Sequence, residues 1–364
     1  MLTRLVTKRI VLQVGFSCNA RCKFCYYKEE LASGKVKDLT FSEVKKRLEE
    51  ARRFGKNQIE LSGGEPTIRK DIFQIAEYAR QTGFRIVCVI TNGLRTHDFD
   101  FCKKLQKSGV NEFLFSLHSP VGEEHDWLTG VKGSWKKVIQ SIKNVEALGI
   151  PYRTNTVISN MNYSHLDQLY NVLKPFQPAA VNLLVYNPST AEFPEKGEIV
   201  DYHIVGSKIK DFIEKYQKYF KTINVRWLPF CFLKGYEKNI RTQWQKLYED
   251  QEWDPYFNIK FNKGPLAVLL SFLGGALIYP FKAPRYGQKN FYTLFNEIIS
   301  SFRMVYYYKQ DGPCKSCSLK KICTGLPRKY KNQKIVLEKY EGEIIRDPLF
   351  FCKEYTQNFE SLRV

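Results

Sequence analysis

Three cysteines lie close together near the start of the chain, in Cys18-Asn-Ala-Arg-Cys22-Lys-Phe-Cys25. Thiolates are soft ligands, and three of them on one loop suit an iron-sulfur cluster, which normally takes four. One iron would then lack a protein ligand and be open to a substrate or cofactor. On spacing alone, the alternative is a structural zinc site that borrows a fourth ligand from elsewhere. A second group follows far downstream as Cys314-x2-Cys317-x5-Cys323, with Cys231 upstream of it in Leu228-Pro229-Phe230-Cys231. Met1 to Phe16 has no apolar run long enough for a signal peptide, so the default location is cytoplasmic. In a reducing compartment ten cysteines are read for metal and not for disulfides. Cys88 and Cys102 fall within strand and helix patterns and read as small buried hydrophobes.

Cys18-x3-Cys22-x2-Cys25, with aromatic Phe24 before the last cysteine, resembles the signature of the radical S-adenosylmethionine (radical SAM) superfamily. The resemblance implies a 4Fe-4S cluster on these three cysteines, with S-adenosylmethionine chelated at the open iron. It further implies reductive cleavage to a 5'-deoxyadenosyl radical that abstracts hydrogen from substrate. Ser62-Gly63-Gly64-Glu65-Pro66 is similar to the family's GGEP motif, where backbone and Glu65 contact the methionine amino group. Physically, paired glycines permit close backbone approach, and a carboxylate can pair with an ammonium. Asn92 in Thr91-Asn92-Gly93, Ser116 and Asn155 match places where the family contacts the ribose, carboxylate or adenine. Polar strand ends are also common for hydrogen bonding alone. His118 is a candidate acid or base, with a hydrogen-bonded structural role as the alternative. Leu184 either borders the adenine or fills the core.

The downstream cysteines resemble the auxiliary-cluster region of radical SAM enzymes with SPASM or twitch domains. This implies one auxiliary 4Fe-4S cluster, because no cysteine follows Gly235 at short spacing and Pro327 stands where a further cysteine is expected. Cys231 is the preferred fourth ligand and Cys352 its competitor, although burial beside Phe350 and Phe351 also explains Cys352. A zinc ribbon on the same thiolates is the structural alternative.

The elements that must position these loops are legible in the hydrophobic pattern. Expected strands are Arg9 to Val14, Gln58 to Leu61, Arg85 to Ile90, Glu112 to Leu117, Arg153 to Ile158 and Val181 to Val185. Expected helices are Phe41 to Phe54, Ile72 to Thr82, Phe99 to Lys107, Trp135 to Leu148, Tyr163 to Leu173 and Ile204 to Tyr219. Thr40 and Glu43 have capping-box spacing, and Gly83, Gly109 and Gly149 fall just past helix ends. The fold class is α/β: a partial (β/α)6 TIM-like barrel over 1–220, then a smaller α+β auxiliary-cluster domain over 221–364. In such sheets chemistry gathers on the loops after the strands.

The chain has 364 residues and a formal net charge of +20, so an anionic partner is a reasonable expectation. Seven basic residues and no acidic one lie between Lys315 and Lys334. They compensate an anionic cluster or mark a phosphate or nucleic-acid site, and nucleic acid is the disfavoured reading. The aromatic stretch Phe291 to Tyr308 could stack on bases, but fills a core more simply. Leu266 to Tyr279 is short of a spanning helix; core burial is favoured over a lipid interface beside Lys282 and Arg285. The expected function is a radical SAM enzyme acting on a peptide or small metabolite, with flavodoxin or ferredoxin as reductant. The alternative is a noncatalytic iron-sulfur or zinc protein that binds nucleic acid through its basic C-terminal half.

Overall fold

Short apolar runs joined by helix-length connections must form a parallel sheet, since each crossover returns the chain to the same sheet end. The computed structural model describes residues 6–25, 27–28, 37–187, 200–249, 252–284, 289–330 and 335–352. Strands β1 (Arg9–Gly15), β2 (Gln58–Gly63), β3 (Ile86–Thr91), β4 (Glu112–Ser116), β5 (Tyr152–Ile158) and β6 (Ala180–Val185) lie side by side in chain order. The sheet runs past the six expected strands through β7 (Ile223–Arg226) and β8 (Ile240–Arg241). These two are short and follow no long apolar run, so periodicity alone does not mark them.

The connecting helices are α1 (Phe41–Arg53), α2 (Ile72–Gln81), α3 (Phe99–Lys107), α4 (Gly122–Thr129), α5 (Ser134–Ala147), α6 (Leu166–Leu173) and α7 (Tyr202–Tyr216). On α1 the residues Val44, Leu48 and Ala51 recur at helical spacing and are buried, and the Thr40/Glu43 capping box is formed. Gly83, Gly109 and Gly149 all have positive φ, as helix-terminating residues do. The stretch expected as one helix from Tyr163 opens with a 3-10 turn, Tyr163–His165, before α6. Helix α4 was not expected: its eight residues carry little apolar periodicity.

By internal contacts, Lys8–Val200 and Asp211–Asn224 form one unit, and Asp201–Lys210 with Val225–Val364 make up most of the other. The first unit is held at the start of its strands by four charged side chains. Arg9 Nη1 donates to Glu60 Oε1 at 2.7 Å and Nη2 to Glu112 Oε2 at 3.1 Å. Arg153 Nε donates to Glu112 Oε1 at 2.7 Å, and its Nη2 pairs with Glu60. With Cys88, the two carboxylates are close enough together to hold a cation, and the two guanidinium groups are the cations they meet.

In the second unit, α8 (Gln243–Lys246), α9 (Pro255–Lys263), α10 (Pro265–Lys282) and α11 (Phe291–Tyr307) precede an antiparallel pair, β9 (Tyr308–Lys309) and β10 (Leu326–Pro327). Phe295 of α11 stacks on Phe272 at 4.9 Å and meets Tyr256 edge-on at 5.9 Å. These rings fill helix packing and do not form a base-stacking platform. The expected burial of Leu266 to Tyr279 is corrected by the structure. Only Val268, Ser271 and Gly275 of α10 are buried. A helix apolar on every face does not reveal from sequence which face finds a partner; here it is the face with small residues. A methyl group at Gly275 would lie 2.0 Å from the Ile298 carbonyl oxygen, so the two backbones approach where only glycine fits.

Burial pushes the Glu112 carboxyl up, but Arg153 and Arg9 outweigh it and hold the group down, from 4.5 to about 2. A carboxylate whose pKa is depressed by folding contributes stability that is present above its unfolded value and lost as pH falls toward the folded one. Stability is therefore expected to fall between about pH 4.5 and pH 2. Glu112→Gln leaves two buried guanidinium groups short of a partner and is expected to cost about 3 to 5 kcal/mol. Urea titrations across this pH range check both; an unchanged midpoint in the variant would refute the role given to the network.

Candidate functional site

The loop after β1 carries Cys18, Cys22 and Cys25, all partly exposed. Its backbone is tied to the end of α4: Arg21 N donates to Thr129 O and Lys23 N to Leu128 O, both at 2.9 Å. Gly130 caps α4 with φ of 68°, and a methyl there would lie 2.9 Å from the Arg21 carbonyl oxygen. Between the cysteines Phe24 turns inward onto Leu128 and Tyr186 and meets the His118 ring at 4.5 Å. One apolar side chain thus anchors the loop; Cys22 packs against the same cluster, and burial pushes its thiol up to about 12. The Ala20 amide points at Cys18 Sγ at 3.4 Å.

The turn after β2 packs on the other side of this loop. Gly64 N donates to Gly15 O at 2.8 Å and Glu65 N to Ser17 O at 2.9 Å. A methyl at Gly63 would lie 2.0 Å from Gly15 O, and one at Gly64 would lie 2.2 Å from Ser17 O. The close approach these glycines permit is therefore to the cysteine loop itself. Pro66 opens a 3-10 turn, Pro66–Ile68, that Glu65 caps.

Glu65 is buried and its carboxylate is already engaged within the chain. Oε1 accepts from Thr67 N at 3.1 Å, Thr67 Oγ1 at 2.6 Å and Thr91 Oγ1 at 2.8 Å, while Oε2 accepts from Asn92 N at 2.8 Å. Burial raises its pKa, and the donors from Asn92, Thr67 and Thr91 oppose that rise. Asn92 carries the connection onward: its Nδ2 donates to Asn19 Oδ1, within the cysteine loop, at 2.8 Å. Glu65 and Asn92 thus link the ends of β2 and β3 to the loop.

Ser116 and Asn155 are register partners on β4 and β5. Asn155 Oδ1 accepts from Asn182 Nδ2 at 3.0 Å, and Asn182 Oδ1 accepts from Asn224 Nδ2 at 3.0 Å. This amide row across three strands includes Asn182 and Asn224, which sequence reading missed. For Asn182, a polar residue inside an apolar strand run was the available signal. His118 is buried, with Val157 N pointing at its Nδ1 at 3.4 Å, and its desolvated ring has a pKa well below the usual value. A neutral, packed histidine fits the structural role. Leu184 is buried in β6.

The second unit brings Cys231, Cys314, Cys317 and Cys323 to one cleft of about 380 Å³ of atom-free space that includes open solvent. Cys231 lies on the 3-10 turn Phe230–Phe232 and Cys314 on the turn Gly312–Lys315. Gln310 Nε2 clamps the intervening loop through Lys320 O at 2.9 Å and Cys323 O at 3.0 Å. Backbone amides point at two of the sulfurs: Gly325 N at Cys323 Sγ, 3.4 Å, and Tyr340 N at Cys317 Sγ, 3.3 Å. Cys352 lies outside this lining; it is buried, with Gln245 Nε2 3.3 Å from its Sγ. Of the nearby basic residues, Lys320 donates to Lys315 O, Lys321 to Phe281 O and Arg328 to Val305 O. Lys331 and Lys334 lie outside the described residues.

A family model described as the radical SAM superfamily matches residues 12–173. Over these residues the chain is similar to that superfamily. Among curated relatives, the AdoMet-dependent heme synthase of Methanosarcina barkeri is 27% identical over 180 residues, 50% of this chain and 51% of its own. A probable GTP 3',8-cyclase of Saccharolobus islandicus is 28% identical over 172 residues, 47% of this chain and 54% of its own. The chain spans about half the length of the curated relatives it matches. Among solved structures, native anSMEcpe with bound AdoMet and Cp18Cys peptide aligns over 97% of this chain and 95% of its own, with a TM-score of 0.53 and 15% identity. Streptococcus suis SuiB aligns over 60% of this chain and 49% of its own, with a TM-score of 0.50 and 17% identity. The fold likeness to anSMEcpe thus extends beyond the radical SAM region into the second unit.

Gly64→Ala is expected to push the cysteine loop away from the β2 turn and to lower iron bound at the first site several-fold. Gly122→Ala, whose methyl would meet nothing nearer than 3.7 Å, is the control. Iron per chain and far-ultraviolet circular dichroism separate a displaced loop from a lost fold; equal iron in both variants would show that the contact is dispensable.

Proposed function

We propose that this protein cleaves S-adenosylmethionine reductively at a 4Fe-4S cluster on Cys18, Cys22 and Cys25, and that a second 4Fe-4S cluster is held by Cys231, Cys314, Cys317 and Cys323. The observation that carries the reading is the first loop: three partly exposed cysteines held between α4 and the Gly63-Gly64 turn, at the carboxyl end of parallel strands. When bound, the cluster would supply an electron to the sulfonium of S-adenosylmethionine, giving methionine and a 5'-deoxyadenosyl radical that takes hydrogen from substrate.

The protein's own residues hold, orient and shield. Phe24 anchors the loop that carries the three sulfurs. Gly63 and Gly64 let two backbones meet, while Glu65 and Asn92 set the spacing between loop and strands as positioning residues. Pro66, Ser116 and Asn155 complete the proposed S-adenosylmethionine surface, and the amide row behind Asn155 fixes which way its carboxamide points. The donor sets fit clusters better than zinc. A tetrahedral zinc with sulfur bonds of ~2.3 Å needs its thiolates within about 4 Å of one another. Among the described residues, neither cysteine set gathers its sulfurs within 4.8 Å of one another. A four-iron cube spreads its ligands over separate irons, and the amides aimed at Cys18, Cys317 and Cys323 suit anionic sulfur.

For the substrate, the reading is a peptide or a small metabolite, with flavodoxin or ferredoxin as electron donor. The fold likeness to a peptide-bound enzyme across nearly the whole chain supports testing peptides first. Anaerobic reconstitution is expected to yield about eight iron atoms per chain, and reduction with S-adenosylmethionine should release 5'-deoxyadenosine. Replacing Cys18, Cys22 and Cys25 together by Ala should abolish that release and leave about four iron atoms. Cys231→Ala should lose the auxiliary signal, and Cys352→Ala should keep it. Undiminished cofactor cleavage in the triple variant would remove the radical reading; about four iron atoms with stoichiometric zinc in the wild type would make the second site structural.

A further inference from the structure

The outward face of α10 has no part in the chemistry proposed above. Leu266, Leu269, Leu270, Leu273, Leu277 and Phe281 are each more than half exposed, Leu277 at 78%. Spacings of three and four put them on one stripe of an 18-residue helix, which is about 27 Å long. Small residues on the other face pack against α11. Phe291, at the start of α11, is 80% exposed.

The charges around this stripe have one sign. From Pro255 to Asn296 the charged residues are Lys260, Lys263, Lys282, Arg285 and Lys289, with no acid among them. Lys263 and Lys282 are exposed at the two ends of α10. The next acid, Glu297, is buried and engaged: Lys289 pairs with it at 2.6 Å, and Tyr279 and Tyr248 donate to it. Two copies of such a face would set like charges together with no acid to pair them. A bilayer with anionic headgroups offers the complement, with hydrocarbon for the stripe and phosphate for the lysines at its ends.

We propose that α10 docks this protein on the surface of an anionic membrane, lying in the interface with its leucines in the acyl boundary and Lys263 and Lys282 at the phosphates. It lies flat and does not span. Its inner face is committed to α11, whose buried residues include Asn296, Glu297, Ser300 and Ser301. Crossing the bilayer would bring those polar groups toward hydrocarbon, where water cannot satisfy them.

The test is flotation of the full chain, reconstituted anaerobically, with vesicles of phosphatidylcholine alone or mixed with phosphatidylglycerol. The protein should float with the mixed vesicles, less so as salt rises, and should be released by alkaline carbonate. Leu273→Gln with Leu277→Gln changes exposed positions only and should reduce partitioning about tenfold or more, with iron content and circular dichroism unchanged. Lys263→Gln with Lys282→Gln should weaken flotation and flatten its salt dependence. Wild-type protein that stays down with both vesicle types, a leucine variant that floats equally well, or resistance to carbonate would each overturn the proposal. So would a leucine-dependent dimer in solution with no vesicle binding.

Discussion

Two peptide backbones in contact govern the first site. The end of β1 and the turn after β2 approach until Gly15 O would lie 2.0 Å from a methyl at Gly63, and Ser17 O 2.2 Å from one at Gly64. No side chain could provide that spacing, and no L-residue with a Cβ fits it without moving one chain. The cysteine loop begins at this contact and is clamped again at its far side by α4. Its thiols are thus positioned by elements that belong to three different crossovers. Glu65 explains why the arrangement holds: one buried carboxylate accepting from Thr67, Thr91 and Asn92 fixes β2, β3 and the loop with respect to one another.

The barrel keeps its stability at the opposite end of its strands. Arg9, Glu60, Glu112 and Arg153 satisfy one another near the strand starts, where a buried charge without its partner would be costly. The loop after β1 carries the three cysteines. Placing the ionic network at one end and the reactive loops at the other lets the loops vary without loosening the sheet.

The parallel strands and most helices were legible because each buries a repeated apolar face, and period follows from geometry. The six expected strands agree with the observed ones to within two residues at either end. What periodicity missed has a common cause. Helix α4 holds the cysteine loop through backbone hydrogen bonds and a glycine cap, neither of which needs an apolar stripe. The Asn155-Asn182-Asn224 row is a property of strand register, and only register places three asparagines side by side. For α10 the composition was informative but the exposed face was not, because a uniformly apolar helix carries no directional signal.

The second cleft shows how distant segments can make one ligand set. Cys231 comes from a 3-10 turn before β8, while Cys314, Cys317 and Cys323 come from the loop between β9 and β10, and Gln310 closes that loop by binding two of its carbonyls. Burial and then the neighbouring Cys323 and Cys314 push the Cys231 thiol up to about 12. Ionising any one of these sulfurs therefore opposes ionising the next. A cationic iron core reverses that opposition by sharing the charge, so cluster binding would release protons and draw the separate segments together. The fold supplies the approach of the four sulfurs, and the metal would supply the reason for them to stay.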